Sequence, residues 1–268
     1  MHELIPPALL LLATGAFAGV LAGLLGVGGG IVLVPAFLYV FTEAGYGGPQ
    51  VMQLCLATSL ATIIVTSIRS VLAHNRKGAV DWDILRGWAP GIAIGAAVGV
   101  LTVGGLRTQT LQLIFAVLVI VIATYMAVSR PHWRLADHMP TGLRRLAIAP
   151  FVGLFSVLLG IGGGSIGVPL MTLHGLPIHR AVATAAGFGV LIAAPSVALF
   201  LTMPIENAPP LTFGSVNLAA FLLTIAMTLM TAPIGAALAH RTDAARLKRY
   251  FAIFLALVAL NMLRKALG

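Results

Sequence analysis

Two glycine-rich segments of this chain expose backbone N–H groups that side chains would normally cover. They span 24–35 and 158–169, and in each a run of three glycines is followed five residues later by a proline. Consecutive glycines can form a concave nest of N–H groups that binds an anion, and a helix that begins just after them adds the positive end of its dipole. The candidate substrate-binding backbone consists of Gly28, Gly29, Gly30, Gly162, Gly163 and Gly164.

Hydroxyl side chains close to these segments are candidate donors to the same anion. They are Ser165, Thr58, Ser59, Thr184 and Ser196. His179 and Arg180 follow the second segment and are candidates for a gate at its mouth. Simpler interpretations stay open, because glycines also allow close helix packing and membrane hydroxyls often bond to their own helix. His179 and Arg180 are equally compatible with ordinary positions at the membrane interface.

The composition is that of an integral membrane protein. Apolar residues make up 59% of the chain and charged residues 9%, whereas soluble domains carry about 25% charged residues. Uncharged runs of about 20 residues, the length of a membrane-spanning helix, recur along the sequence. The net charge of +9 comes from basic residues in short loops. This distribution is typical of membrane orientation, so we expect no nucleic-acid partner.

The chemistry that is missing also restricts the function. All seven carboxylates fall in loops or at helix ends, so the sequence offers no buried acid for a proton relay or a cation site. An anionic substrate is therefore favoured. The chain has no phosphate-binding loop or His-Glu-x-x-His motif, and we expect no catalytic site, no metal and no cofactor.

The chain contains an internal duplication of about 130 residues, because further matches follow the two glycine segments in the same order. The matching segments are 57–59 with 183–185, 78–81 with 214–217, 95–98 with 235–238 and 115–116 with 251–252. If each glycine segment crosses the membrane once, ten Lys and Arg residues face one side and six the other. If each forms a hairpin that returns to its own side, the division is thirteen against three. Since cytoplasmic loops are rich in Lys and Arg, we predict hairpins, inverted repeats and both termini outside the cytoplasm.

The predicted fold class is an all-α polytopic membrane protein with two inverted repeats, each a glycine-broken helical hairpin plus three transmembrane helices. The first repeat, 1–130, contains the hairpin 5–42 and helices 51–72, 85–104 and 109–129. A cytoplasmic linker, 131–145, joins the repeats. The second repeat, 146–268, contains the hairpin 146–174 and helices 179–202, 214–239 and 247–265.

The doubled Gly-x-Gly-Gly-Gly motif with its trailing proline, together with Ala57-Thr58-Ser59, resembles the TauE/SafE family over essentially the whole chain. That resemblance implies an inner-membrane permease for small sulfur-containing anions such as sulfite or organosulfonates. The second half departs from the pattern, because Ala185 follows Thr184 where Ser59 follows Thr58. The two halves therefore differ in the hydroxyls they can offer.

Residues and resemblance together predict a secondary transporter, an exporter of a small sulfur oxyanion that works by alternating access around the glycine breaks. Its partners are the anionic substrate and the lipid bilayer, and the interpretation leaves room for a homo-oligomer. Two alternatives stay open: a passive anion channel, and a membrane scaffold or accessory subunit without transport of its own.

If the linker 131–145 is cytoplasmic, a protease should cut it only from the inner side. We expect cleavage in inside-out vesicles and protection in right-side-out vesicles, measured by the appearance of two half-length fragments. Cleavage in sealed right-side-out vesicles would contradict the predicted orientation.

Overall fold

The structure is a computed structural model that describes residues 5–25, 29–129, 133–239 and 244–267. Helices dominate these ranges, and the predicted all-α membrane class is confirmed. The helices are α1 (Ile5–Leu25), α2 (Gly30–Phe41), α3 (Val51–Asn75), α4 (Trp82–Gly104), α5 (Thr108–Val128), α6 (Gly142–Leu158), α7 (Gly164–Leu173), α8 (Ile178–Phe200), α9 (Leu218–Ala239) and α10 (Ala244–Leu267). A π-helical turn, Thr42–Tyr46, continues α2.

Each glycine segment separates two helices, and the second helix of each pair is short. The first pair is α1 and α2, and the second is α6 and α7. With 12 and 10 residues, α2 and α7 are about 18 and 15 Å long. The hydrocarbon core of a bilayer is about 30 Å thick. Neither helix is therefore long enough to cross it alone. Within the described residues, five helices are long and apolar enough to cross: α3, α4, α5, α8 and α9.

The start of α9 differs from the helix predicted at 214. Residues Thr212–Phe213 and Val216–Asn217 instead form a two-stranded antiparallel hairpin, β1 and β2, directly before the helix. Gly214 has a φ of +56°, a backbone conformation that favours glycine. A Cβ atom there would overlap the carbonyl oxygen of Leu201. This close turn delays the helix until Leu218.

Equivalent helices of the two halves make reciprocal contacts. The first helix of each half packs against the fourth helix of the other, so α1 contacts α9 and α6 contacts α4. The third helices pair with each other, α3 with α8, and the last helices likewise, α5 with α10. The halves thus exchange partners, and neither half encloses a core alone.

The paired helices α3 and α8 run in opposite directions. Gln50, just before α3, accepts a hydrogen bond from the N–H of Glu206, which follows α8 (3.1 Å). At the other end, Arg180 at the start of α8 pairs with Asp81, which follows α3 (2.9 Å). The inversion of the repeats across a bilayer stays a prediction.

Glycines allow the exchanged helices to approach backbone to backbone. A Cβ atom at Gly95 in α4 would overlap the carbonyl oxygen of Pro150 in α6. Gly235 in α9 is the counterpart of Gly95, and a Cβ atom there would overlap the carbonyl oxygen of Val20 in α1. Close approach at small residues is a common mode of helix association in membranes.

Replacing Gly95 with alanine should therefore destabilise the protein. We expect a loss of about 1–3 kcal/mol, because overpacking forces the two backbones apart. Thermal unfolding of the purified protein in detergent measures the effect. Gly104→Ala in the same helix is the matched control, since the nearest atom to its Cβ is the flexible Met203 Sδ at 3.3 Å. Equal melting temperatures of the two variants would contradict this packing.

Candidate functional site

The two glycine breaks touch at the centre of the molecule. A Cβ atom at Gly30 would overlap the carbonyl oxygen of Gly160 and would lie 2.9 Å from Cα of Ile161. Gly30, Gly160 and Ile161 are all buried. The first residue of α2 therefore rests directly on the backbone that follows α6, and no side chain fits between them.

Glycine conformation explains where the helices stop. Gly160 has a φ of +57°, its N–H donates to Val157, and the N–H of Ile161 donates to Ser156 (both 2.9 Å). This pair of bonds is a Schellman motif, the usual way of ending a helix with a left-handed glycine. In the first half, Gly29 has a φ of +73° and precedes α2. Gly28 lies outside the described residues.

The contact lies at the middle of the central helix pair. Ile63 is the central residue of α3 and Gly189 the central residue of α8. A Cβ atom at Gly162 would lie 3.2 Å from Cγ2 of Ile63 and 3.6 Å from Cα of Gly189. A Cβ atom at Gly30 would lie 3.1 Å from Cδ1 of Ile63. Both breaks therefore meet the same residue halfway along α3.

The second break presents the positive end of a helix to this central region. Gly163 precedes α7, and its carbonyl oxygen accepts from the N–H of Gly167 (2.6 Å). The three N–H groups before that bond, at 164–166, have no acceptor within the helix, as in the first turn of any helix. A Cβ atom at Gly163 would overlap Cβ of Phe188, so α8 covers the turn closely. The arrangement is suited to binding a small anion.

Several predicted and unpredicted hydroxyls surround this second break. Ser59 donates to the carbonyl oxygen of Gly160 (2.7 Å). Ser165, in the first turn of α7, is buried and its hydroxyl has no hydrogen-bond partner; the same holds for Ser156 in the last turn of α6. Ser67 Oγ lies 3.8 Å from the position of a Cβ at Gly162. The sequence reasoning missed Ser67 and Ser156.

A signal for Ser67 was present in the sequence. Ser59, Ile63 and Ser67 are spaced at i, i+4 and i+8, and residues at this spacing share one face of a helix. Since Ser59 was a candidate, this spacing would have identified Ser67 as well. No comparable pattern pointed to Ser156.

The candidate gate residues differ in their surroundings. Arg180 forms an ion pair with Asp81 and is half-exposed, so it joins the start of α8 to the start of α4. His179 is exposed beside it. An exposed pair of this kind contributes little stability. The ion pair of Arg180 and Asp81 nevertheless shows that the two halves contact each other at this end of α3 and α8.

A cleft of about 70 Å³ lies at the opposite end of these helices. It is formed by 46–51, Leu54 and 205–208, and the one charged side chain in its lining is Glu206. A carboxylate repels anions, so the cleft is less suited to an anionic ligand than the second break.

The chain is similar in sequence to a known protein family. The family described as "Sulfite exporter TauE/SafE" matches residues 11–262. The chain belongs to the TauE/SafE family. A "probable membrane transporter protein" of Haemophilus influenzae is 34% identical over 259 residues, which cover 96% of this chain and 98% of that protein. Another, from Methanocaldococcus jannaschii, is 28% identical over 74% of each chain. No solved structure matches the chain.

In this TauE/SafE protein, Thr58 and Thr184 join the two halves. The hydroxyl oxygen of Thr58 accepts from the N–H of Asn217, directly before α9 (3.1 Å). The hydroxyl oxygen of Thr184 accepts from the N–H of Asp81, directly before α4 (3.0 Å). Asp81 and Asn217 in turn cap α4 and α9 with their side chains. The two threonines thus hold equivalent positions in the two halves.

The predicted hydroxyls are therefore not all brought together. Thr58 and Thr184 each precede a residue that touches the second break, Ser59 and Ala185. Their hydroxyl oxygens, however, accept from Asn217 and Asp81 of the other half. Ser196 follows Gly189 by seven residues, or about 10 Å, and its hydroxyl donates to Ile192 of its own helix (2.7 Å). Ser59 and Ser165 lie next to the break; the role of all five in substrate binding stays a prediction.

Replacing Thr58 with valine should destabilise the protein by about 1–3 kcal/mol, because the buried N–H of Asn217 loses its acceptor. Thr184→Val should have the same sign and a smaller effect, since the N–H of Asp81 is only partly buried. Thermal unfolding in detergent measures both. Thr58→Ser keeps the hydroxyl and is the control. A Thr58→Val protein as stable as Thr58→Ser would show that the hydrogen bond between Thr58 and Asn217 does not contribute to stability.

Proposed function

We propose that this protein is a secondary transporter that exports a small sulfur-containing oxyanion, such as sulfite or an organosulfonate. The observation that carries the proposal is the contact of the two glycine breaks halfway along α3 and α8. Paired interruptions of this kind mark the substrate sites of many secondary transporters. The family's description as sulfite exporters supports the choice of substrate class.

The contacts at the helix ends support inverted repeats with re-entrant hairpins. The carbonyl oxygen of Leu173, at the end of α7, accepts from the N–H of Leu135 (2.7 Å). The second hairpin thus ends beside the linker from which it starts. The ion pair of Arg180 with Asp81 places basic loops of both halves at the same end. A single crossing by each glycine segment would put these loops on opposite sides.

The remaining basic residues agree with this arrangement. Lys265 lies over the ring of Tyr39, with Nζ 5.3 Å from the ring centroid, and Gln109 donates to the carbonyl oxygen of Ala266 (2.6 Å). These contacts gather the ends of α2 and α10 with the start of α5. They form the end with few Lys and Arg residues, which we assign to the outside of the inner membrane.

Charge gives the proposed export its direction. A basic cytoplasmic face attracts anions from the cell. An inside-negative potential then favours their exit by about 2.3 kcal/mol per charge and 100 mV. In alternating access, opening toward the cytoplasm separates the two halves at that end. This opening breaks the ion pair of Arg180 and Asp81 and the hydrogen bond from the N–H of Asp81 to Thr184.

The test is flux in liposomes that contain only the purified protein. We expect saturable uptake of labelled sulfite or an organosulfonate, faster with a positive interior and absent from protein-free liposomes. Acetate tests whether the sulfur oxyanion is preferred. Uptake that never saturates would support a channel, and no uptake of any of these anions would refute the proposal.

A matched pair of glycine variants connects this flux to the break. Gly162→Ala adds a methyl group between Ile63 and the Ser67 side of the break and should slow transport. Gly48→Ala adds the same group where no atom lies within 4 Å and should transport normally. Equal flux through both variants would dissociate transport from the second break.

A further inference from the structure

We infer that the two glycine breaks are not equivalent and that a single oxyanion binds per chain, at the second break. This inference rests on the proposed function and sharpens it, because it assigns the site to α7, α3 and the end of α6. The first break serves as a structural support. The ligand class is a small oxyanion, whose oxygens accept from N–H and O–H donors.

The sequence duplication allows each residue at the second break to be compared with its counterpart. The reciprocal bonds of Thr58 and Thr184 fix the register between α3 and α8, and the glycine motifs fix it for the hairpins. Each hydroxyl at the second break then has an apolar counterpart at the first. The pairs are Ser59 and Ala185, Ser67 and Ala193, Ser156 and Ala22, and Ser165 and Ile31.

The centre of the molecule carries the same asymmetry. Ile63 of α3 is the counterpart of Gly189 of α8 in this register. Gly189 leaves room for Ser67, because a Cβ atom at Gly189 would overlap Ser67 Oγ. Between the halves, Ile63 corresponds to Gly189 and Ala193 corresponds to Ser67. The absence of a side chain at Gly189 therefore makes room for the Ser67 hydroxyl. The corresponding position in α3 carries the branched apolar side chain of Ile63.

Two hydroxyls at the second break, those of Ser165 and Ser156, are buried without partners. Ser165 is 7% exposed and Ser156 is fully buried, and neither hydroxyl has a hydrogen-bond partner. Ser67 is 6% exposed, and its Oγ faces Gly162 and Gly189. Unsatisfied polar groups of this kind destabilise a protein, so their clustering beside a helix N-terminus indicates a ligand.

An oxyanion satisfies these groups together. The N–H groups at 164–166 and the Ser165 hydroxyl approach from α7, and Ser67 approaches from α3 across the chain at Gly162. All of them are donors, and the positive end of α7 favours negative charge. A cation would find no carboxylate among these residues.

Equilibrium binding of labelled sulfite to the intact purified protein in detergent tests the inference. We expect one sulfite per chain, and Ser67→Ala and Ser165→Ala each to weaken binding about tenfold or more, since each removes a donor to a charged ligand. Thr66→Val is the matched control. It removes a neighbouring hydroxyl that bonds to its own helix, and its affinity should match the wild type.

Thermal unfolding without sulfite separates a binding role from a structural one. Because the buried Ser165 hydroxyl has no partner to lose, Ser165→Ala should be at least as stable as the wild type while it binds sulfite more weakly. Two sulfites per chain, or unchanged affinity in both serine variants, would overturn the single site and leave the proposed function standing. A wild-type protein that neither binds nor transports sulfite would refute both.

Discussion

The contact between Gly30 and Gly160 is the constraint on which the rest of this structure depends. It brings backbone against backbone, because a Cβ atom at Gly30 would overlap the carbonyl oxygen of Gly160. The contact fixes where the two breaks meet and places both of them against Ile63, the central residue of α3. The exchanged packing of α1 on α9 and α6 on α4 then surrounds the two hairpins with longer helices.

Breaking helices in the buried centre of the protein frees backbone groups, and each one left unsatisfied in an apolar surrounding destabilises the protein by several kcal/mol. Several hydrogen bonds in this chain satisfy free backbone groups at the ends and starts of helices. The Schellman bonds at Gly160 and the hydroxyl of Ser59 satisfy the end of α6, and the two cross-half threonines satisfy the starts of α4 and α9. The first turn of α7 is the exception. Its N–H groups at 164–166 have no acceptor within the helix, and the positive end of a helix favours an anion.

The sequence predicted the helical membrane fold because uncharged runs and their charged boundaries are local properties. The glycine segments were recognised as helix breaks for the same reason, since glycine conformation is a property of single residues. The hydrogen-bond partner of a hydroxyl, by contrast, is not a local property of the sequence. Thr58 and Thr184 are predicted ligand donors, and the fold adds a second role, since their hydroxyl oxygens accept from backbone that lies 103 residues or more away in sequence. Only the folded chain shows which partner a serine or threonine meets, and Ser156 gave no local signal at all.

The sequence duplication explains why the two halves contain the same structural hydrogen bonds. Later divergence of the two copies explains why their glycine breaks carry different side chains. The bonds that hold the frame are repeated in both halves, as Thr58 with Asn217 and Thr184 with Asp81 show. The unpartnered hydroxyls of Ser156 and Ser165, by contrast, belong to one break alone. A symmetric site on a two-fold axis would bind its anion with identical groups from both halves. Here Ile63 and Gly189 occupy corresponding positions in the two halves and have very different volumes, so the space beside them differs between the halves. The same glycine motif can therefore support the structure in one half and offer donors to a ligand in the other.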